Sequence, residues 1–378
     1  MKIVTVVGAR PQFIKAFPVS KALSEHHEET LVHTGQHYDS TLSDVFFEEL
    51  AVPDPSYHLG IGSAAPGTQI GRMMDALQPI LDEENPDVVL TYGDTNSTLA
   101  AAVAGAHHDA ILAHVEAGLR SHNRTMPEEI NRVLTDHASD LLFAPTQRAA
   151  EALAMEGINA GVHVTGDVMV DALRLSRDIA SEQSDVLERL QLASDQYILS
   201  TVHRQVNTDN PARLRTIIAT LGRLEYPVVL PAHPRTVAQL ETMSALEWAH
   251  DQVHLVDPVG YLDFIHLLDN AWRVVTDSGG IQKEAFLLDT PCVTLRTETE
   301  WPETVHAGWN VLVDADPQEI TSAINQPVQI HDKPNPFGDG TAATSIEDCL
   351  TAAIHSGQGL RSSTKTKTSV ASGYSRGN

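Results

Sequence analysis

The chain alternates between two hydrophobic periods. Short, nearly unbroken apolar runs occupy residues 3–7, 29–34, 87–92, 110–115 and 141–144. They recur at 197–202, 227–230, 253–256, 273–275 and 293–295. Runs of this length without a polar face predict strands buried on both sides, as in a parallel sheet. Between them, apolar residues fall three or four apart. Ile70, Met73, Met74, Leu77, Ile80 and Leu81 have helical spacing, and so do Phe13, Ile14 and Phe17 after Pro11. Proline suits a first helical turn, where its missing N–H would have no partner. The alternation predicts βαβ units, and so an α/β protein. A polar stretch, 181–195, follows a helix from Asp171 and separates two such series. The expected division is 1–168 for the first domain and 169–342 for the second, with a last helix near 344–354. Residues 357–378, rich in Ser, Thr and Gly, are expected to be disordered.

The chemistry-bearing residues collect at the ends of the predicted strands. In open α/β sheets the carboxyl ends of the strands form the ligand-binding edge. Thr276-Asp277-Ser278-Gly279-Gly280-Ile281-Gln282-Lys283-Glu284-Ala285 reads as a strand, a turn and a helix over 281–288. The glycines are expected to take positive φ and admit a ligand, and the helix start offers N–H groups to a phosphate. Glu284 would repel a phosphate but can accept hydrogen bonds from sugar hydroxyls. A plain turn with a serine cap and a solvated glutamate is the simpler alternative. A second such turn, Gly8-Ala9-Arg10-Pro11, carries Arg10 and Lys15, both suited to phosphate oxygens. Asp94 and Glu116 end two further strands, and Glu128 begins the next helix. Three carboxylates at one rim suit proton transfer, although Glu128 alone reads equally as a first-turn residue favoured by the helix dipole. His203, Arg204, His233 and Arg235 follow strands of the second series. Their spacing, like that of the two cysteines, makes no metal pattern.

Composition sets the surroundings. Asp and Glu number 50 against 25 Lys and Arg, a formal net charge of -25 over 378 residues. Such a surface repels nucleic acid and acidic membranes, so an anionic ligand needs a local basic pocket. Before the tail the only lysines are Lys2, Lys15, Lys21, Lys283 and Lys333. An acidic, lysine-poor surface is expected of a protein adapted to high salt. The N-terminus enters a strand at once and no apolar run is long enough to span a membrane, which points to the cytoplasm.

These motifs, in this order, resemble the non-hydrolysing UDP-N-acetylglucosamine 2-epimerases. The match includes Gly8 to Gln12, Gly93-Asp94-Thr95, His114 to Arg120, Pro127 to Arg132, His203-Arg204, Thr276 to Ala285 and Asn335 to Gly340. The resemblance implies a glycosyltransferase-B architecture: two Rossmann-like domains, the active site in the interdomain cleft, and a last helix, 343–356, returning to the first domain. It implies interconversion of UDP-GlcNAc and UDP-ManNAc through elimination of UDP, with no NAD and no metal, in a homodimer. Carried over by motif, Asp94, Glu116, Glu128 and His203 would be catalytic. Arg10, Lys15, His203, Phe264, Ser278, Gly279, Gly280 and Glu284 would hold UDP. Gln36, His37 and Arg72, grouped with His233, resemble a second, regulatory nucleotide-sugar site. Val259, Val206 and Trp301 depart from the bacterial pattern. The Trp301 form also resembles epimerases of UDP-2,3-diacetamido-glucuronic acid. A glycosyltransferase of the same fold, or a non-catalytic UDP-sugar sensor, are the remaining classes, and three rim carboxylates argue against the sensor.

Overall fold

The computed structural model describes residues 1–36, 54–327 and 333–356. His37 and the tail 357–378 lie outside the described residues. Two wholly parallel sheets organise the chain. The first contains β1 (Lys2–Val7), β2 (Glu28–His33), β3 (Tyr57–His58), β4 (Val88–Tyr92), β5 (Ile111–Val115), β6 (Leu141–Ala144) and β7 (Val162–Val164), in the order β3-β2-β1-β4-β5-β6-β7. The second contains β8 (Ile198–Thr201), β9 (Val228–Pro231), β10 (His254–Val256), β11 (Arg273–Thr276), β12 (Cys292–Thr294) and β13 (Asn310–Leu312), in the order β10-β9-β8-β11-β12-β13. Strands β4, β5, β8 and β11 are buried along their whole length, which explains their unbroken apolar sequence. The short strands β3 and β13 were not expected. Each is only partly buried and lacks a long apolar run.

One apolar core runs beneath both sheets. It joins Ile3, Val7 and Leu90 of the first to Leu199 and Val274 of the second, through Leu173 and Ile265 on the connecting helices. The helix Val168–Gln183 is therefore packed from both sides. The last helix, Ala342–Ser356, folds back against it: the Asp171 carboxylate accepts the N–H groups of Ala342 and Ala343 at 3.3 and 3.0 Å. Glu347 on that helix pairs with His27 Nε2 at 2.8 Å, beside the helix Arg10–Leu23. This is the glycosyltransferase-B architecture. Each sheet reverses strand order between two central strands, β1 and β4 in one and β8 and β11 in the other. Loops diverge there, so both sheets place their binding edge at the same point of the topology. Among the described residues no helix is long and apolar enough to cross a membrane.

Candidate active site

A cavity of about 690 Å³ is lined from the two sheets at once. Arg10, Lys15 and Glu116 line it from the first, and His203, Ser278, Gly280 and Glu284 from the second. Phe264 stands at an apolar end with Val259 and Ile281.

The first rim is a knot of charge held on a bent backbone. Gly8 must lack a side chain, since a Cβ there would lie 2.1 Å from Ser97 Oγ and 2.2 Å from Thr34 Oγ1. Gln12, in the first turn of Arg10–Leu23, accepts the N–H groups of Gly8 and Ala9 and donates to the Tyr92 carbonyl at 2.8 Å. It thereby fastens the loop after β1 to the end of β4. Gly93 then takes φ 63°, and a Cβ there would meet Glu116 Oε2 at 3.2 Å. Glu116 itself sits at φ 75°, a left-handed conformation that costs energy for a residue other than glycine. Its carboxylate is ion-paired with Lys15. Burial is the largest single influence and pulls the Lys15 ammonium down, but the charge and hydrogen bond of Glu116, with the charges of Asp167 and Asp94, together carry the net shift upward.

Asp94 is paired with the Arg132 guanidinium, and its backbone carbonyl accepts from Asn131 Nδ2 at 2.9 Å. Burial, and then the negative charge of Glu116, raise its carboxyl above the usual range against the pull of Lys15 and Arg132. Beneath this pair His114 is fully buried. It reaches the Gly93 carbonyl from Nε2 and Asp136 from Nδ1, both at 2.7 Å. Both partners are acceptors, so each ring nitrogen donates. Asp136 also accepts the Gly118 N–H at 3.1 Å, which holds the turns after β4 and β5 together.

The second rim has a regular backbone and a different chemistry. The helix is Gly279–Leu287, starting two residues earlier than expected. Neither Gly279 nor Gly280 has positive φ, contrary to the expectation, because both already belong to the first helical turn. Their value is space. A Cβ on Gly280 would have only Ser278 Oγ near it, at 3.9 Å, whereas one on Gly279 would strike Glu300 Oε2 at 2.9 Å. The Ser278 hydroxyl makes no capping bond, so the serine-cap alternative does not describe it. The helix start, with its unpaired N–H groups, opens into the cavity there.

Glu284 is half-buried in the same wall. Burial pushes its carboxyl up to about 7, against the opposing charges of Arg10 and Lys283. Arg10 thus acts across the cleft, from the first sheet on the second.

The four cationic or titratable strand-end residues divide into pairs. His203 and His233 line the cavity with ring centroids 5.4 Å apart. Arg204 and Arg235 do not; they pair with Glu300 and Asp209. Glu128 is exposed in the first turn of Pro127–Ala138 and is absent from the cavity lining, acting on Asp94 only through its charge. Its neighbour Glu129 is buried and takes the N–H groups of Ser121 and His122. In the regulatory group, Gln36 spends its side-chain oxygen on Ser97, at 2.9 Å from N and 2.7 Å from Oγ. Arg72 is exposed on Pro66–Glu84, away from the cavity, and His233 lies inside it.

Sequence reasoning gave no role to Asp277, Lys283 or Tyr261. Lys283 is buried against Asp167 and faces the Trp301 and Phe337 rings at 4.6 and 4.8 Å. Trp301 in turn donates from Nε1 to the Gly279 carbonyl at 2.8 Å, so it braces the turn as well as lining the cavity. A charged residue in a motif of glycines was the available signal for Lys283; for Tyr261 there was none. Among the described residues no cluster of three His, Cys, Asp or Glu side chains is arranged to hold a metal.

The family model described as UDP-N-acetylglucosamine 2-epimerase matches residues 21–351. A Methanococcus maripaludis protein named UDP-N-acetylglucosamine 2-epimerase homolog is 48% identical over 93% of this chain and 99% of its own. The UDP-2,3-diacetamido-2,3-dideoxy-D-glucuronate 2-epimerase of Pseudomonas aeruginosa is 45% identical over 93% and 99%. Among solved structures, UDP-GlcNAc 2-epimerase from Methanocaldococcus jannaschii in complex with UDP-GlcNAc and UDP superposes with a TM-score of 0.78. It is 40% identical and covers 93% of this chain and 100% of that one.

Proposed function

The chain belongs to the UDP-N-acetylglucosamine 2-epimerase family, and from that premise we propose that it interconverts UDP-GlcNAc and UDP-ManNAc in the cleft between its sheets. The observation that carries this reading is the meeting of two unlike rims in one cavity. A base on the first rim takes the proton from carbon 2. The bond from carbon 1 to the UDP oxygen breaks, its electron pair leaves with UDP, and 2-acetamidoglucal remains. UDP then adds back at carbon 1 while carbon 2 receives a proton on the opposite face.

Two faces require two proton-transfer groups, and Glu116 and Asp94 on adjoining strands are suited to the task. Lys15 is ion-paired with Glu116 and fixes the position of its carboxylate. Ser278, the helix start at Gly279 and Gly280, Arg10 and His203 supply donors and positive charge where negative charge develops on UDP. Glu284 takes the ribose hydroxyls and Phe264 the uracil. Glu128, exposed and outside the cavity lining, bears on Asp94 through its charge.

A homodimer fits the surface. Ile130 and Leu134 are 44% and 49% exposed on one face of Pro127–Ala138, and Met126, the residue that precedes this helix, is 39% exposed. The acidic surface fits a protein working at high salt.

A second reading has its own support. Trp301 lines the cavity, and the 45% identical relative is named for a diacetamido-glucuronate substrate. Separating the nucleotide sugars by chromatography after incubation with each candidate substrate tests both readings. UDP-ManNAc formed from UDP-GlcNAc is the expected result. Turnover of the diacetamido uronate alone would establish the second reading, and sugar transfer to an added acceptor would overturn both.

A further inference from the structure

β8 and β11 are neighbours in register, Thr201 beside Thr276, so the residues that follow them meet. The Asp277 carboxylate is fully buried there. It accepts the N–H groups of His203 and Arg204, at 3.1 and 2.9 Å, and Asn207 Nδ2 at 2.9 Å. It also stands 3.1 Å from His203 Nδ1. Burial is the largest single influence and works to raise its carboxyl, but the hydrogen bonds from His203, Asn207 and the Arg204 N–H, with the His203 charge, together hold it below the usual range. An ionised carboxylate only accepts, so His203 Nδ1 carries a hydrogen and Nε2 is the nitrogen left for the cavity.

The neighbouring ring is set the other way. The Arg235 N–H donates to His233 Nδ1 at 3.1 Å, which leaves the His233 proton on Nε2. A second proton on His233 would break that bond, and burial, His203 and Arg235 all disfavour it. His203 has the opposite surroundings, with an anion beside Nδ1. The other charged groups lining the cavity are Arg10, Lys15, Glu116, Lys283 and Glu284.

We infer that Asp277 is a positioning residue that makes His203, rather than His233, the cationic imidazole of the cleft, with its Nε2–H presented to the diphosphate. The inference rests on the proposed use of the cleft for a UDP-sugar. When the bond at carbon 1 breaks, the electron pair stays on the UDP oxygen. The His203 imidazolium then supplies a charge-assisted hydrogen bond to that group, with Asp277 balancing its charge. His233 stays neutral and donates from Nε2.

Nitrogen-15 NMR of the histidine rings tests this on the intact protein, with His203→Asn assigning the signals. With UDP bound, spectra recorded at about pH 6 and about pH 8 are expected to show a proton on Nδ1 of His203 at both values and on Nε2 as well at the lower one. A bare Nδ1 at either pH, or a bare Nε2 in the UDP complex at the lower pH, would overturn the inference. No turnover enters this measurement, so its failure is separable from failure of the epimerase reading.

Asp277→Asn gives the kinetic counterpart. Loss of kcat by roughly 10²–10⁴-fold is expected, the scale of acid–base groups, and the loss should be greater at the higher pH because the imidazolium has lost its counter-ion. In a His203→Asn background the same change should cost little more. Equal losses at both pH values that add in full to His203→Asn would show a merely structural carboxylate. If Asp277→Asn does not fold, the ring spectra decide alone.

Discussion

The two rims of the cleft use the same topology for opposite purposes. Each lies where strand order reverses, after β1, β4 and β5 in one sheet and after β8, β9 and β11 in the other. On the first rim the backbone is bent, with Gly93 and Glu116 both left-handed, and the side chains are carboxylates paired with cations. On the second the backbone around Gly279 and Gly280 is plain helix, and the chemistry is hydrogen-bond donors and imidazoles. In the proposed reaction a carboxylate held at one angle takes the proton from carbon, a use that the left-handed backbone of Glu116 fits. Holding a departing diphosphate needs fixed positive potential, which a helix start supplies without strain. The fold supplies the location, and the turn residues decide the work done there.

The largest expected effect breaks the first rim alone. Glu116→Gln and Asp94→Asn keep shape but cannot ionise. Turnover should fall by roughly 10²–10⁴-fold while calorimetry shows UDP affinity nearly unchanged. Affinity falling in step with turnover would mean the rims do not divide the labour.

Arg10 belongs to both rims: it follows β1 of the first sheet, and its charge acts on Glu284 of the second. Arg10→Ala should weaken UDP binding by about 1.5–3 kcal/mol, the worth of hydrogen bonds to a charged group. Calorimetry giving unchanged affinity would remove it from the diphosphate site.

Glu284 sharpens the contrast through pH. Its folded carboxyl is pushed up to about 7, above the ordinary value of 4.5. The folded protein therefore binds the proton more tightly than the unfolded chain, and this group's contribution falls as pH rises from the ordinary value towards about 7. Glu284→Gln should leave the melting temperature unchanged well below that window. Above it, the variant should be more stable than the parent by on the order of 1–2 kcal/mol, allowing for partial exposure. Identical melting curves at both pH values would deny the strained carboxyl.

The smallest effect per group comes from the surface. With a net charge of -25, the melting temperature should rise as KCl enters the molar range, since screening relieves self-repulsion. A flat or falling curve would contradict the high-salt reading. The half-buried Lys15–Glu116 pair is screened less than the surface charges, so turnover should respond more weakly than stability.

Most of the fold was legible because buried parallel strands announce themselves as unbroken apolar runs, as β4 and β5 do. β3 and β13 did not, being short and partly exposed. At the site, Arg10, Lys15, Glu116, His203, Ser278 and Glu284 were readable as strand-end chemistry, and the cavity gathers them. The conformations were not readable. Gly279-Gly280 looked like the bent turn but is helical, while the bend falls on Gly93 and on Glu116, a residue with no local preference for it. Asp277 was visible as a letter, but its partner His203 lies 74 positions away and meets it only through the pairing of β8 with β11.

The most direct test of the account is proton NMR of UDP-GlcNAc with the wild-type protein in D₂O. A base that removes the carbon 2 proton and returns a solvent proton must leave deuterium there. Loss of the carbon 2 signal and the appearance of UDP-ManNAc carrying deuterium at the same carbon are the expected result. UDP-ManNAc formed with its carbon 2 proton retained, or free GlcNAc released with no exchange, would contradict it.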